Sequence, residues 1–354
     1  MFGTVKRKVQ IWSVIISGSI GLLACETPSV EATEIIRNFR GNTQGTTYEI
    51  IVADNEVNFT NAEIDSVLDQ FDASLSTYIP TSKISQLNSS EESLKIEDES
   101  GFFKTCYLQS QDIFQATNGS FDPSVFPLVK GWGFMDNVES PLSQHEVDYL
   151  LNDIGFDQHH SIQFNGKSIE LIKTNPGFQL DFNAIAQGYS VDVLGDFLNE
   201  RGQKNYYIEI GGELLLRGKN IKGTDWNIGI DIPADKSSTY EIENIVSISD
   251  EAIATSGSYR KFYEKDGNRY AHFLDPKTGY PVQHSLLSAS VIAPTCSEAD
   301  AYATAFMVMG AEKALKFVQD HPELKLKVYL LEADGNDGYL RSMSAGFATY
   351  LSGE

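Results

Sequence analysis

The chain is poor in cysteine, poor in positive charge and without an apolar run long enough to cross a bilayer. Only three of its 354 residues are cysteine. A disulfide between Cys106 and Cys296 is allowed in an oxidising compartment. Nothing in the sequence places those two within reach, however, and they read as two separately buried thiols. Lysine and arginine number 27 against 49 aspartates and glutamates, a formal charge of −22. Such a surface repels phosphate backbones and anionic lipid heads, which excludes a nucleic-acid partner. An anionic substrate would need a local cation or backbone N–H groups. There is no internal repeat and no low-complexity run. The apolar stretch near the N-terminus, residues 11–24, has 14 residues, whereas a membrane-spanning helix needs about 20.

That stretch follows a basic start at Lys6, Arg7 and Lys8 and fits a secretory signal in length and flanks. It closes on Leu22-Leu23-Ala24-Cys25, an aliphatic residue three before a cysteine and a small residue just before it. This resembles the lipobox of bacterial lipoproteins, in which the signal is cut before the cysteine and the thiol is acylated. Leu23 is larger than the residue usual at its position. The plainer reading is an ordinary signal that happens to contain a cysteine. On the lipoprotein reading, residues 1–24 are the signal, 25–36 a polar tether with Cys25 lipidated, and 37–354 one folded domain. Cleavage removes three basic residues and no acidic one, leaving 330 residues at −25.

Residues 46–52 have β-rich composition. From Thr60 the pattern turns helical, with Ile64, Val67, Leu68, Phe71 and Leu75 on one face and Thr60 with Glu63 as a capping box. Residues 101–117 predict a helix stopped by Asn118-Gly119, and 143–152 a shorter one. Strands are expected at 161–164, 168–173, 205–210, 213–217 after a Gly211-Gly212 turn, 226–232 and 286–292. Segments 259–264 and 269–274 flank Asp266-Gly267 as a hairpin. Helices at 184–201 and 297–309 interrupt these strands. Mixed order with hairpins argues α+β, a largely antiparallel sheet with packed helices, rather than a doubly wound parallel sheet.

Three segments carry more than core packing requires. Asp181-Phe182-Asn183-Ala184-Ile185-Ala186-Gln187-Gly188-Tyr189 sits at a strand-to-helix junction. Asn183 is a plausible N-cap, and the first-turn N–H groups are available to a phosphate. Small residues there also suit a tight junction with no ligand. The second segment runs from Ala254 to Tyr259 and, beyond the hairpin, from His272 to Gly279. Alternation across 269–274 places His272 and Leu274 on one face. A lone histidine in a strand is more often structural, but this one precedes an Asp-Pro-Lys-Thr-Gly turn. His159-His160 reads as solvated. In the third segment Asp300 and Thr304 are four apart, so their oxygens stack on one helix face. Alanines at 301, 303 and 305 leave room around them. Carboxylate and hydroxyl oxygens suit Mg²⁺; a dipole-favoured aspartate with a back-bonded threonine is the alternative.

The segments DFNAIAQGYSVD, IGGEL at 210–214, 254–282 and SEADAYATAFMVMG at 297–310 occur in the order and spacing of the ApbE-type FAD:protein FMN transferases. Leu75-Ser76-Thr77-Tyr78, Asn118–Pro123 and Gly131-Trp132-Gly133-Phe134 are similar to family segments too. The resemblance runs from about residue 37 to the C-terminus. It implies FAD as substrate and Mg²⁺ as cofactor. It matches Tyr78 to an aromatic packed on the isoalloxazine, and Ser120, Phe121 and Asp122 to a flavin-contacting segment. Asp181 matches a flavin-binding acid. Ala184, through its carbonyl, matches a metal ligand, as do Asp300 and Thr304. His272 matches a histidine beside the scissile diphosphate. Ser256 and Leu274 complete the expected contacts together with Gln44 and Gln187, which stand where the family commonly has methionine and lysine. The catalytic candidates are His272, the favoured base, and Asp181.

The reaction so implied is transfer of FMN to a threonine or serine hydroxyl of an acceptor protein, with release of AMP. Hydrolysis of FAD to FMN and AMP is the alternative within the same chemistry, and a non-catalytic flavin-binding lipoprotein the alternative outside it. Family acceptors are commonly proteins of membrane electron-transfer systems. The expected location is the periplasmic side of a bacterial membrane, with the inner membrane favoured although Glu26 disfavours one inner-membrane retention signal.

Overall fold

The computed structural model describes residues 37–352, apart from 55, 136–140, 233–241, 259–261, 266–267 and 336–337. The signal, Cys25, the tether, Tyr259 and the Asp266-Gly267 turn lie outside the described residues. The fold begins with a hairpin, β1 (Arg37–Thr43) and β2 (Thr46–Val52), around Gln44-Gly45. Both turn residues have positive φ, 51° and 74°, the form whose twist matches paired strands. Helix α1 (Asn61–Leu75) starts at the expected capping box, with both reciprocal bonds of Thr60 and Glu63 present. Then come α2 (Lys83–Ser89), β3 (Ser93–Glu97) and α3 (Phe102–Ala116). Asn118 and Gly119 follow α3 at φ 50° and 74°, a left-handed exit that ends the helix. The chain continues through α4 (Phe126–Gly131), α5 (Gln144–Leu151), β4 (His160–Asn165) and β5 (Ser168–Lys173).

Helix α6 (Ala186–Glu200) precedes the hairpin of β6 (Tyr206–Ile210) and β7 (Glu213–Arg217). Strands β8 (Trp226–Asp231) and β9 (Ile242–Ile248) pair with each other. After β10 (Ala252–Gly257) come the paired β11 (Phe262–Lys265) and β12 (Asn268–Ala271), then β13 (Leu286–Ala293). Helices α7 (Cys296–Met309) and α8 (Ala311–Asp320) and strands β14 (Lys327–Ala333) and β15 (Tyr339–Met343) close the chain.

Eight strands form one sheet in the order β1-β2-β6-β7-β10-β13-β14-β15, every neighbouring pair antiparallel. This is the α+β arrangement expected. The central strands are covered on both faces, and alternation sorts their side chains. Leu215, Ala252, Ala254 and Val291 enter the main core with α1, α3, α6 and α7. Leu214, Leu216, Ile253 and Ile292 enter a second core with Trp226, Val246 and Ile248 of the β8–β9 ribbon. The described residues form one compact unit. Cys106 and Cys296 are buried free thiols. Among the described residues, no helix is long and apolar enough to cross a membrane.

Two local expectations are corrected. Helix α6 starts at Ala186 with Ile185 as its cap, not at Ala184 with Asn183. Residues 182–185 form a turn instead, with the Ile185 and Ala186 N–H groups both donating to the Phe182 carbonyl at 2.9 and 2.7 Å. The second strand of the 262–271 hairpin ends at Ala271, so His272 and Leu274 do not share a strand face. Leu274 bridges Pro281 instead, because the chain must already turn toward Asp275-Pro276.

Candidate functional site

Helix α7 is made of small residues because it is enclosed. Ala299, Ala301, Ala303 and Ala305 are all fully buried, where α7 packs against β10, β13, α3 and α6. Asp300 lies buried in this apolar setting. Its Oδ2 accepts the Gly188 N–H at 3.0 Å. Burial pushes the Asp300 carboxyl up to about 7, with the charge of Asp192 adding to the effect. Among the described residues, no lysine, arginine or histidine pairs with it. One turn along α7, the Thr304 hydroxyl sits 3.3 Å from that of Ser256 on β10. Asp300 and Thr304 thus lie one turn apart on α7, and Ser256 of β10 contacts Thr304.

Ala184 lies in the turn that leads into α6, half-buried against the core. The first-turn N–H groups of α6 are not all available to a phosphate, as the sequence suggested. Ala186 donates to Phe182 and Gly188 to Asp300. Gly188 is where α6 and α7 meet. A Cβ built there would overlap the Cys296 carbonyl and lie 2.8 Å from Asp300 Cβ.

Asp181 is set by contacts on both sides. Its N–H donates to the Pro123 carbonyl at 2.7 Å, and its Oδ1 accepts from the Asn183 N–H at 2.8 Å. The preceding residue, Leu180, is gripped at both backbone groups by Asn88, each bond 2.7 Å. Sequence reasoning missed Asn88, which is 92 residues away from its partner. Burial pushes the Asp181 carboxyl up to about 6. The Asn183 amide donates to Thr77 Oγ1 at 3.3 Å, bringing the neighbouring Tyr78 into range. Desolvation and the charge of Asp181 raise the Tyr78 phenol, yet the side chain is 65% exposed. An exposed aromatic ring beside a buried carboxylate is a platform for a planar, polar-edged ligand.

The segment Ser120–Asp122 is joined to Asp181 through the next residue, whose carbonyl accepts the Asp181 N–H. Phe121 is buried and its N–H donates to Thr117 Oγ1 at 3.2 Å. Asp122 Oδ1 accepts from both the N–H and the hydroxyl of Ser124, at 2.7 and 2.6 Å. Ser120 is half-buried at the end of the α3 exit turn. The turn after His272 comes close to this segment, with Lys277 Cε 4.0 Å from where a Gly119 Cβ would be. Trp132 Nε1 fixes the same turn through the Gly279 carbonyl at 2.9 Å. His272 is half-buried, its ring centroid 4.1 Å from that of Phe273. Leu274 packs into a small apolar cluster with Leu128, Trp132 and Val147.

The two glutamines at departures from the family pattern are linked through Ser190. Its hydroxyl contacts Gln187 O at 2.7 Å and Gln44 Oε1 at 3.4 Å. Gln187 Nε2 donates to the Ile210 carbonyl at 3.2 Å, so this amide ties α6 to the β6–β7 turn. Burial raises the nearby Asp72 carboxyl to about 6, with Gln44 acting to lower it. His160, expected to be solvated, is instead enclosed. It bonds the Tyr107 hydroxyl at 2.7 Å and stacks on Phe178, and its burial lowers its pKa to about 4.

The ApbE family model matches residues 44–329. The chain belongs to the ApbE family. A relative from Haemophilus influenzae named FAD:protein FMN transferase is 32% identical, covering 96% of this chain and 97% of its own. The Escherichia coli K12 protein of the same name is 36% identical, covering 82% of each. The solved flavin transferase ApbE of Vibrio cholerae superposes with TM-score 0.76 at 32% identity, over 90% of this chain and 99% of that one. The apo flavinyl transferase ApbE of Pseudomonas stutzeri gives TM-score 0.78 at 29% identity, over 90% and 98%. The eight-stranded sheet and its helical layer are thus the fold of ApbE-family transferases, which are enzymes.

Proposed function

We propose that this protein transfers FMN from FAD to a threonine or serine hydroxyl of another protein and releases AMP, with Mg²⁺ held by the Ala184 carbonyl, Asp300 and Thr304. The observation that carries the reading is the buried Asp300 carboxylate, which has one N–H donor and no cationic partner among the described residues. A buried carboxylate without a counter-ion is costly. The hard oxygens of Asp300 and Thr304 suit Mg²⁺, which keeps waters and substrate phosphates for its remaining positions. Among the described residues, no cluster of three His, Cys, Asp or Glu side chains could hold a metal by itself, as fits a site completed by FAD. When bound, Mg²⁺ would neutralise charge on the diphosphate.

The chain's own residues then have distinct tasks. Tyr78 offers its exposed ring to the isoalloxazine, and Asp181 presents a carboxyl at the ring's polar edge. His272 receives the proton of the acceptor hydroxyl as that oxygen attacks the phosphorus of the FMN half. The new phosphorus–oxygen bond forms as the bond to the bridging oxygen breaks, and AMP departs with that oxygen. With water in place of the hydroxyl, the same site would give FMN and AMP.

His272→Ala should lower the transfer rate about 10²- to 10⁴-fold while FAD affinity, read from flavin fluorescence, changes little. That split marks a group acting in the transition state. EDTA should stop AMP release and added Mg²⁺ restore it; full turnover in excess EDTA would refute the metal assignment.

We propose too that Cys25 is acylated and holds the domain on the periplasmic side of a bacterial membrane. Cys25→Ser should leave the chain uncleaved or move it to the soluble fraction. Wild-type protein found soluble with an unmodified mature N-terminus would end that reading.

A further inference from the structure

We infer that Asp192 is a positioning residue for the metal-binding carboxylate, locking α7 against α6 so that Asp300 sits at its working depth. The inference rests on the metal assignment proposed above. Asp192 is a half-buried acid that the mechanism does not use. Its Oδ1 accepts the Cys296 N–H and its Oδ2 the Ser297 N–H, both at 2.8 Å. These are the first two N–H groups of α7, which have no partner within the helix itself. A carboxylate bonded there is further favoured by the helix dipole.

Four residues earlier on α6, Gly188 donates its N–H to Asp300, which is four residues after Cys296 on α7. The crossing is therefore pinned twice, one helical turn apart on each helix, with the donor on α7 at one tie and on α6 at the other. Between the ties the backbones touch, since a Cβ on Gly188 would overlap the Cys296 carbonyl. The Gly188 tie fixes one point of the α6–α7 crossing and leaves the N-terminal turn of α7 to be set by a second contact. The second fixes the depth of Asp300 and, one turn on, of Thr304. Thr295 caps the same helix end, accepting the Glu298 N–H at 3.3 Å, but it belongs to the α7 side and makes no tie to α6.

The test uses the full folded domain with FAD and Asp192→Asn, which keeps size but has one acceptor oxygen where two N–H groups need one each. Mg²⁺ is titrated calorimetrically into the protein–FAD complex, so the readout is metal binding and not turnover. Asp192→Asn should weaken Mg²⁺ binding about 10- to 100-fold, the usual effect of removing a group that orients a metal ligand. Thr295→Ala, which weakens the same helix end, should lower the melting temperature but leave Mg²⁺ affinity within about threefold, well short of the range for an orienting group. Unchanged Mg²⁺ affinity in Asp192→Asn, or an equal loss in Thr295→Ala, would overturn the inference. If the wild-type complex binds no Mg²⁺, the metal reading itself falls and this inference with it.

Discussion

Asp300→Asn should abolish most transfer and, in the absence of metal, make the protein more stable above neutral pH. The loss follows from removing the charged ligand proposed for Mg²⁺; metal charge stabilisation of several kcal/mol corresponds to a rate loss on the order of 10³-fold or more. The stability gain follows from the buried charge. Burial raises the Asp300 carboxyl in the folded chain from the ordinary carboxylate range, about 4, to about 7. Between those values the folded state holds a proton that the unfolded state has lost, so folding stability falls as pH rises from about 4 to about 7. Above that the full penalty applies, on the order of 1–4 kcal/mol for a shift of this size. Asparagine keeps an acceptor for the Gly188 N–H and carries no charge. Urea denaturation in EDTA at pH 5 and pH 8 should show a larger gain for the variant at pH 8. A variant less stable than wild type at pH 8 would mean that Asp300 is stabilised by something other than a bound cation.

Gly188→Ala should be strongly damaging to both stability and turnover. The added methyl would meet the Cys296 backbone and Asp300 Cβ, neither of which can swing aside, so the helices must part. Overpacking of this kind costs about 1–3 kcal/mol and more where backbone must move. Separating the helices would break the Gly188–Asp300 bond as well, so turnover should fall with stability. Gly195→Ala on the same helix is the comparison. Its methyl would meet the end of the Leu215 side chain at 2.5 Å, which can rotate. Both changes gain the same helix propensity, about 1 kcal/mol, so the difference between their denaturation midpoints isolates the helix contact. Equal midpoints would mean that the crossing is loose.

Much of this fold is written in local signals. The capping boxes at Thr60 and Ser143 and the glycine turn at Gly211-Gly212 fix their elements from a few adjacent residues. Strand β10 was not legible, because Ala-Ile-Ala-Thr-Ser-Gly is too small in side chain to show a strand pattern; it is narrow so that α7 can lie against it. Helix α8 was masked by Gly310, which reads as a stop yet serves as the end of one helix and the cap of the next. The candidate site divides the same way. Asp300, Thr304, Asp181 and His272 stand out by motif, since each lies in an irregular run of small and polar residues. What holds them does not. Asn88 acts on Leu180, and Asp192 on Cys296, across 92 and 104 residues of chain. A contact made by folding leaves no mark at either end of the sequence.

The most direct test of the central claim is mass spectrometry of an acceptor. The purified protein is incubated with FAD, Mg²⁺ and a partner carrying a threonine in the Asp-Gly-x-Ser-Gly-Ala-Thr motif that the family resemblance implies for an acceptor. An adduct heavier by FMN minus water is expected on that threonine, with AMP formed in equal amount and none of the label on the enzyme. Rapid Mg²⁺-dependent release of free FMN and AMP, with the acceptor unlabelled, would contradict the central claim and make the protein an FAD pyrophosphatase.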